Sequence, residues 1–188
     1  MKQQITYFPE PGKANTDEVL KLAAQRAKEL GIKHIVVATT TGETALKAAE
    51  TMKDQDVKII GVTLHAGIWE KYGSPHPDKV KRAEEMGVKF LTGTHVLMGN
   101  LSTSIMNKFG GISWSDLIAH AYYTFSQGTK VAVEIVVMAA DAALLPVEKE
   151  VIALAGSDTG ADTALVVQPA YSTDFFSLKV REIIAKPR

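Results

Sequence analysis

The chain has 188 residues, 46% of them apolar and 22% charged, which suits one soluble globular domain with a single substantial core. Lysine plus arginine equals aspartate plus glutamate at 21 each, so no overall field favours nucleic acid or an anionic membrane. Cysteine is absent, which excludes disulfides, thiolate metal sites and cysteine nucleophiles.

The N-terminal MKQQITYF lacks the apolar core of a signal peptide. The longest apolar run, Ile135 to Ala140, is too short to span a bilayer, so a cytoplasmic protein is expected. Ile5 to Phe8 reads as a first short strand, closed by Pro9 and Pro11. Asn15 or Thr16 then caps a helix, with Glu18 placed for a capping box. Val19, Leu20, Ala23, Ala27 and Leu30 form its apolar stripe, and Gly31 ends it. His34 to Ala38 is a strand, Glu43 to Lys53 a helix, and Val57 to Val62 the next strand. Ser74 and Pro75 open a helix that stops at Gly87, and Lys89 to Leu91 is a brief strand.

Leu101 to Phe109 has helical potential, and Ser113 with Asp116 opens a helix through about Phe125. Lys130 to Leu144 carries strand-forming Val and Ile but is long and alanine-rich, so a buried helix is expected. Glu150 to Ala155 and Thr163 to Val167 are the last clear strands. The tail from Phe175 to Ile184 has the potential of an exposed strand or a docking helix, in support of a homo-oligomer or of packing on the same domain. Apolar runs alternating with amphipathic segments predict an α/β fold: three α/β/α layers, a mainly parallel sheet, and one domain over 1–188.

The turn from strand to helix at Thr39–Thr44 is the first candidate for chemistry. Thr39, Thr40, Thr41 and Thr44 supply hydroxyls, and Gly42 allows close backbone approach. Backbone N–H groups at a helix start favour an anion, so the loop reads as a phosphate cradle. It also reads as an ordinary loop in which Thr41 caps the helix. It is neither a Walker loop nor a dinucleotide fingerprint. A second small-residue loop, AGSDTGAD, offers Gly156, Ser157, Asp158, Gly160 and Asp162; its bland reading is a hairpin turn.

Two further loops follow strands at the same sheet edge. One holds Thr63, His65, Trp69 and Tyr72, the other Thr94, His95 and Asn100. The five histidines lack zinc-site spacing, so no metal site is expected. Glu134 and Asp141 share a helix face and read as solvent-exposed. No GxSxG elbow occurs, and no acid, base or nucleophile stands out, so the catalytic residues are unknown from the sequence.

The block TDEVLKLAAQRAKELGIKHIVVATTTGETALKAAE, followed by VKIIGVT, resembles the C-terminal α/β domain of pyruvate kinase. The family's Thr-x-Ser/Thr-Gly-x-Ser/Thr loop is matched by Thr39, Thr41, Gly42 and Thr44. EVIALAGSDTGADTALVVQP is similar to the domain's final strand-loop-strand, keeping one threonine at Thr163 and departing at Asp162. RAEEMGVKF resembles an Arg-Gly-Val stretch, with Arg82 displaced and Met86 beside Gly87. Residues 94–128 look like an insertion relative to the family.

The resemblance implies a pyruvate kinase C-terminal domain-like fold without the catalytic barrel, so kinase activity is not expected. It also implies that the threonine loop holds a phosphate of a sugar bisphosphate activator. Thr40 and Glu43 stand where the family has lysine and arginine, which weakens the case for a doubly charged ligand. The pattern is most similar to stand-alone, mostly archaeal proteins with no assigned reaction, for which the implied ligand is FMN. A phosphorylated small molecule is therefore the expected partner. A flavin-dependent oxidoreductase and a regulatory or interaction module without catalysis are the alternatives.

Overall fold

The computed structural model of the protein describes residues 2–188. In chain order its elements are β1 (Thr6–Phe8), α1 (Thr16–Leu30), β2 (His34–Ala38), α2 (Glu43–Thr51), β3 (Lys58–Val62), α3 (Trp69–Tyr72), α4 (Pro77–Glu85) and β4 (Lys89–Leu91). They continue with α5 (Leu101–Phe109), α6 (Trp114–Tyr123), α7 (Gln127–Asp141), β5 (Val151–Ala155), β6 (Thr163–Gln168) and β7 (Lys179–Pro187).

The strands make one seven-stranded sheet in the order β1-β7-β6-β5-β2-β3-β4. β2 pairs in parallel with β3 and β5, β3 with β4, and β1 with β7; β6 is antiparallel to both its neighbours. Every strand except β6 therefore points the same way. Because alternate strand residues face opposite sides, Ile35 and Val37 enter one core with Ile152, Leu154 and Val166, beneath α1, α2 and α4. Val36 enters the other with Ile60, Ala153 and Leu165, beneath α7 and α6. This is the expected α/β/α sandwich.

The α1 stripe is buried at Val19, Leu20, Ala23 and Ala27, while Leu30 is exposed. Gly31 closes the helix at φ 66°, where its N–H reaches the Lys28 carbonyl. The expected capping box does not form. The Asn15 amide instead donates to the Glu10 and Gly12 carbonyls, and Thr16 Oγ1 donates to the Lys13 carbonyl. At α4 the cap is His76 with Pro77 in the first turn, two residues beyond the expected pair, because the His76 N–H is held by the Thr41 carbonyl at 3.0 Å.

Residues 127–141 are helical despite their Val and Ile content. α7 lies between the sheet and α6 and is buried on nearly every side, and that burial overrides β-propensity. The same burial corrects the reading of Glu134 as solvent-exposed. It is 3% exposed, and only Asp141 faces water. The tail takes its expected alternative, packing on the same domain, as a strand exposed at Lys179 to Arg181 and buried toward its end. It becomes β7, hydrogen-bonded to β6 on one side and β1 on the other.

Arg26 fastens this C-terminal strand to the helix layer. Its Nε and Nη2 donate to both Glu182 carboxylate oxygens at 2.8 and 2.7 Å, and Nη1 donates to Glu29. The fork matches a carboxylate in two-point geometry, and Arg26 is 8% exposed. Replacing it with Ala leaves Glu182 unpaired against the helix and should cost about 3 kcal/mol in urea unfolding. A loss below about 0.5 kcal/mol would place the pair with weak, water-screened surface bridges.

Candidate functional site

After β2 the chain builds β3 and β4 on one side, then returns past β2 to add β5 on the other. The C-terminal ends of β2 and β5 therefore flank a topological switch point, the place where open α/β sheets hold ligands. The threonine loop follows β2, and the Gly156–Asp162 loop follows β5. Both loops lie at this edge, at the ends of neighbouring parallel strands.

In the threonine loop, the Thr39 N–H donates to the Val62 carbonyl at 2.9 Å, which extends the β2–β3 pairing by one residue. Thr39 Oγ1 accepts from the Ala45 N–H, and Thr41 Oγ1 from the Glu43 N–H, both at 3.4 Å. Thr41 is not the cap anticipated for it: Gly42 takes the N-cap position of α2, and the Thr41 hydroxyl only closes a local turn onto the Glu43 N–H. Among the described residues, the N–H groups of Thr40, Thr41, Gly42 and Thr44 meet no protein acceptor. Those of Gly42 and Thr44 belong to the first turn of α2, at its positive end, and those of Thr40 and Thr41 lie in the loop just before it. Gly42 sits at φ 92°, and a Cβ there would lie 3.3 Å from Val80. Close packing of α4 against the loop therefore requires this glycine whether or not a ligand is present.

Glu43 opens α2 and binds two lysines, Lys79 at 2.8 Å and Lys13 at 3.1 Å. Neither lysine was evident as a site residue from sequence. They come from separate segments before α1 and within α4, and only the fold brings them to one carboxylate. Hydrogen bonds from Lys79 and then Lys13 hold the Glu43 carboxyl down at about 2.

On the β5 side the expected hairpin turn is what forms, since β5 and β6 are antiparallel neighbours. Asp162 is fully buried. Its Oδ2 accepts from the Gly12 N–H at 2.8 Å and the Ser157 N–H at 3.0 Å, and its Oδ1 from the Thr163 hydroxyl at 2.8 Å. Asp162 thus holds the loop in place and faces the protein. Gly156 and Gly160 have a similar explanation, because a side chain on Gly160 would strike Thr16 and Lys13, and one on Gly156 would strike the Gly160 carbonyl. Ser157 is half-buried and Asp158 exposed at the loop tip, the latter with φ 69°.

The loops after β3 and β4 meet beside this edge. The Thr63 hydroxyl bonds to the Thr92 hydroxyl at 2.6 Å, and Thr63 is buried. His65 and His95 stack edge to face at 5.0 Å, with His65 Nε2 buried and without a hydrogen-bond partner; Thr94 is exposed. Burial pushes the His95 imidazole below its usual range; Glu134 opposes this, while His65 and Lys130 add to it. Glu134, which the sequence placed in solvent, anchors this corner. Its Oε1 accepts from the Leu97 and Met98 N–H groups at 2.9 and 3.1 Å, and its Oε2 pairs with buried Lys130 at 2.6 Å.

The 64–76 segment runs back along the threonine loop. Gly73 approaches the Thr40 methyl, and Tyr72 beside it is 57% exposed. Trp69 is turned inward, its Nε1 donating to the Leu64 carbonyl at 2.7 Å. An open depression of about 500 Å³ lined by Tyr7, Phe8, Pro9 and Arg188 lies at the β1 edge and contains none of the predicted residues. Among the described residues, no cluster of three or more His, Asp or Glu side chains is arranged to hold a metal ion, and no helix is long and apolar enough to cross a membrane.

Fold and site together define a three-layer α/β domain with small-residue loops at its switch point. The model of the pyruvate kinase alpha/beta domain family matches residues 17–167, and the chain belongs to that family. Among solved structures, Cryptosporidium parvum pyruvate kinase is similar at 17% identity and a TM-score of 0.38, over 78% of this chain and 22% of that one. The same kinase in complex with ADP aligns at 18% identity and a TM-score of 0.41, over 96% of this chain and 25% of that one. The chain thus spans no more than a quarter of the length of these kinases.

The Glu43 pairs give a pH test. Its carboxyl lies near 2 in the folded chain against an ordinary 4.5, so the unfolded chain binds this proton more tightly. The contribution is present above about pH 4.5 and is lost as pH falls toward 2. Unfolding midpoints measured across that range should fall less steeply for Glu43→Gln than for the wild type. Parallel curves would contradict the ion pairs.

Proposed function

We propose that the protein binds a phosphorylated small molecule at the switch point, with the phosphate on the threonine loop, and that FMN is this ligand. The observation that carries the reading is the set of unpaired N–H groups of Thr40, Thr41, Gly42 and Thr44, at and just before the positive end of α2. Membership of the pyruvate kinase alpha/beta domain family supports it as well. Tyr72, one residue before the Gly73 that approaches Thr40, is exposed with the Lys71 ammonium 4.8 Å from its ring centre, and in this reading the ring of the ligand would displace that lysine to stack there. One phosphate fits better than two, because Glu43 already engages Lys13 and Lys79 and adds a negative charge at the mouth. That favours a nucleotide-like monophosphate over the sugar phosphate of a regulatory module. The setting in this reading is cytoplasmic.

A flavin-dependent oxidoreductase is the second reading. It is favoured by the His65–His95 pair, where one buried nitrogen lacks a partner and the His95 imidazole is kept neutral at pH 7. The residues present suit proton transfer near a flavin, whose redox chemistry the bound group itself would supply.

Titration of the protein against FMN and against riboflavin, followed by flavin fluorescence, tests the binding reading. FMN should bind at least tenfold more tightly, about 1.4 kcal/mol from the phosphate. Equal affinities would remove the phosphate from the loop, and no binding of either would sink the flavin. Reduction of the bound flavin by NADH or NADPH would then separate an oxidoreductase from a binder.

A further inference from the structure

The corner where the loops after β3 and β4 meet is closed by groups that can carry charge. The His65 and His95 rings touch edge to face, with centroids 5.0 Å apart and planes at 79°. His65 Nε2 is buried and has no hydrogen-bond partner. The Gly99 backbone walls it off, since a Cβ on Gly99 would lie 3.6 Å from that nitrogen. From α7, Lys130 and Glu134 both act on His95; they pair at 2.6 Å, with side chains only 6% and 4% exposed. From α6, the Tyr123 ring centre lies 6.0 Å from the Lys130 ammonium, and its hydroxyl donates to Met98 Sδ at 3.3 Å. His120 leans on Tyr123 at 5.5 Å.

The loop after β4 is anchored on both sides of His95. The Thr92 hydroxyl bonds to that of Thr63 at 2.6 Å, and the Leu97 and Met98 N–H groups bond to Glu134. Between these anchors Gly93 has open space where a side chain would stand, and Thr94 is exposed. Across from it, Ala66 and Gly67 of the loop after β3 are exposed as well. Residues 93–95 therefore have room to move about two fixed points. A neutral His95 ring suits this corner, and a charged one does not, because it would face the Lys130 ammonium in a place shielded from water. Glu134 and the Thr63 backbone favour a proton on His95, but burial outweighs them, and His65 and Lys130 act with burial. The Glu134 oxygens are already committed to two N–H groups and to Lys130.

We propose that His95 is the trigger of an acid-sensitive latch: a proton on its ring parts the loop after β4 from the loop after β3. The ring then turns to water, which solvates its charge, while the anchors at Thr92 and Glu134 hold the rest of the fold. In the closed corner His95 binds its proton less readily than an imidazole at its ordinary 6.5, so the open form takes up the proton first. The closed form is therefore favoured above about pH 6.5 and gives way as the pH falls below it. Opening is felt at the switch point. The segment that starts at His65 runs on to His76, whose N–H is held by the Thr41 carbonyl at 3.0 Å. The latch thus couples acidity to the threonine loop, whether or not that loop holds a phosphate.

Trp69 reports on the latch, because its Nε1 donates to the carbonyl of Leu64, the residue before His65. With the exposed Trp114 replaced, in a Trp114→Phe background of the full chain, Trp69 is the only tryptophan. Its emission should shift to the red, reversibly, between about pH 7 and about pH 5, with far-UV circular dichroism unchanged. His95→Gln, which takes up no proton in this range, should keep the neutral-pH spectrum throughout. His95→Lys, charged throughout, should show the acid spectrum already at neutral pH. Imidazole proton NMR of the wild type needs no variant: His95 should titrate below 6.5, with the midpoint of the Trp69 signal. A flat profile in the Trp114→Phe protein would overturn the inference, as would a transition that survives in His95→Gln. So would a His95 that titrates at 6.5 or above, or a red shift that tracks loss of circular dichroism.

Discussion

The buried Asp162 carboxylate ties together three segments that are far apart in the chain or belong to different elements. It gathers the Gly12 N–H from the N-terminal segment, the Ser157 N–H from the β5–β6 turn, and the hydroxyl of Thr163 at the head of β6. Thr163 in turn lies 3.4 Å from the Ser126 hydroxyl that caps α7, and Thr16 Oγ1 accepts the Ala161 N–H from the start of α1. A fully buried charge is stable only when its lone pairs are satisfied, so these partners must stay together for the fold to close. The result is a fixed wall on the β5 side of the switch point.

The opposite wall is built from α2, and there the chain leaves its donors open. Glu43 engages Lys13 and Lys79, so the positive potential at the start of α2 comes from backbone dipoles more than from free side chains. Backbone donors suit a single phosphate and tolerate salt better than a lysine cluster. Glu134 holds the 97–98 backbone of the loop after β4, in which His95 stacks on His65 of the loop after β3. Unpaired N–H groups, an exposed tyrosine and two imidazoles therefore lie in consecutive loops after β2, β3 and β4, at one sheet edge.

Much of this was legible in the sequence. The β2–α2–β3 block was legible because Val and Ile runs, alanine-rich helices and glycine stops all agree there. The threonine loop was legible because its residues are adjacent in the chain. Asp162 was visible as a loop acid, but its role was not, since its partner at Gly12 lies 150 residues away. Lys13 and Lys79 were missed for the same reason. Glu134 was misplaced because helical spacing reveals which residues share a face and not which face is covered. The tail carried β-branched residues, yet its insertion between β6 and β1 depends on pairings no local pattern encodes.

Amide proton–nitrogen correlation spectra of the protein titrated with FMN test the central claim most directly. The N–H signals of Thr40, Thr41, Gly42 and Thr44 should move furthest and to low field as they take the phosphate, while those of Gly12 and Ser157, already bound to Asp162, should move little. FMN that leaves these four signals in place, or shifts a different edge of the sheet, would contradict it.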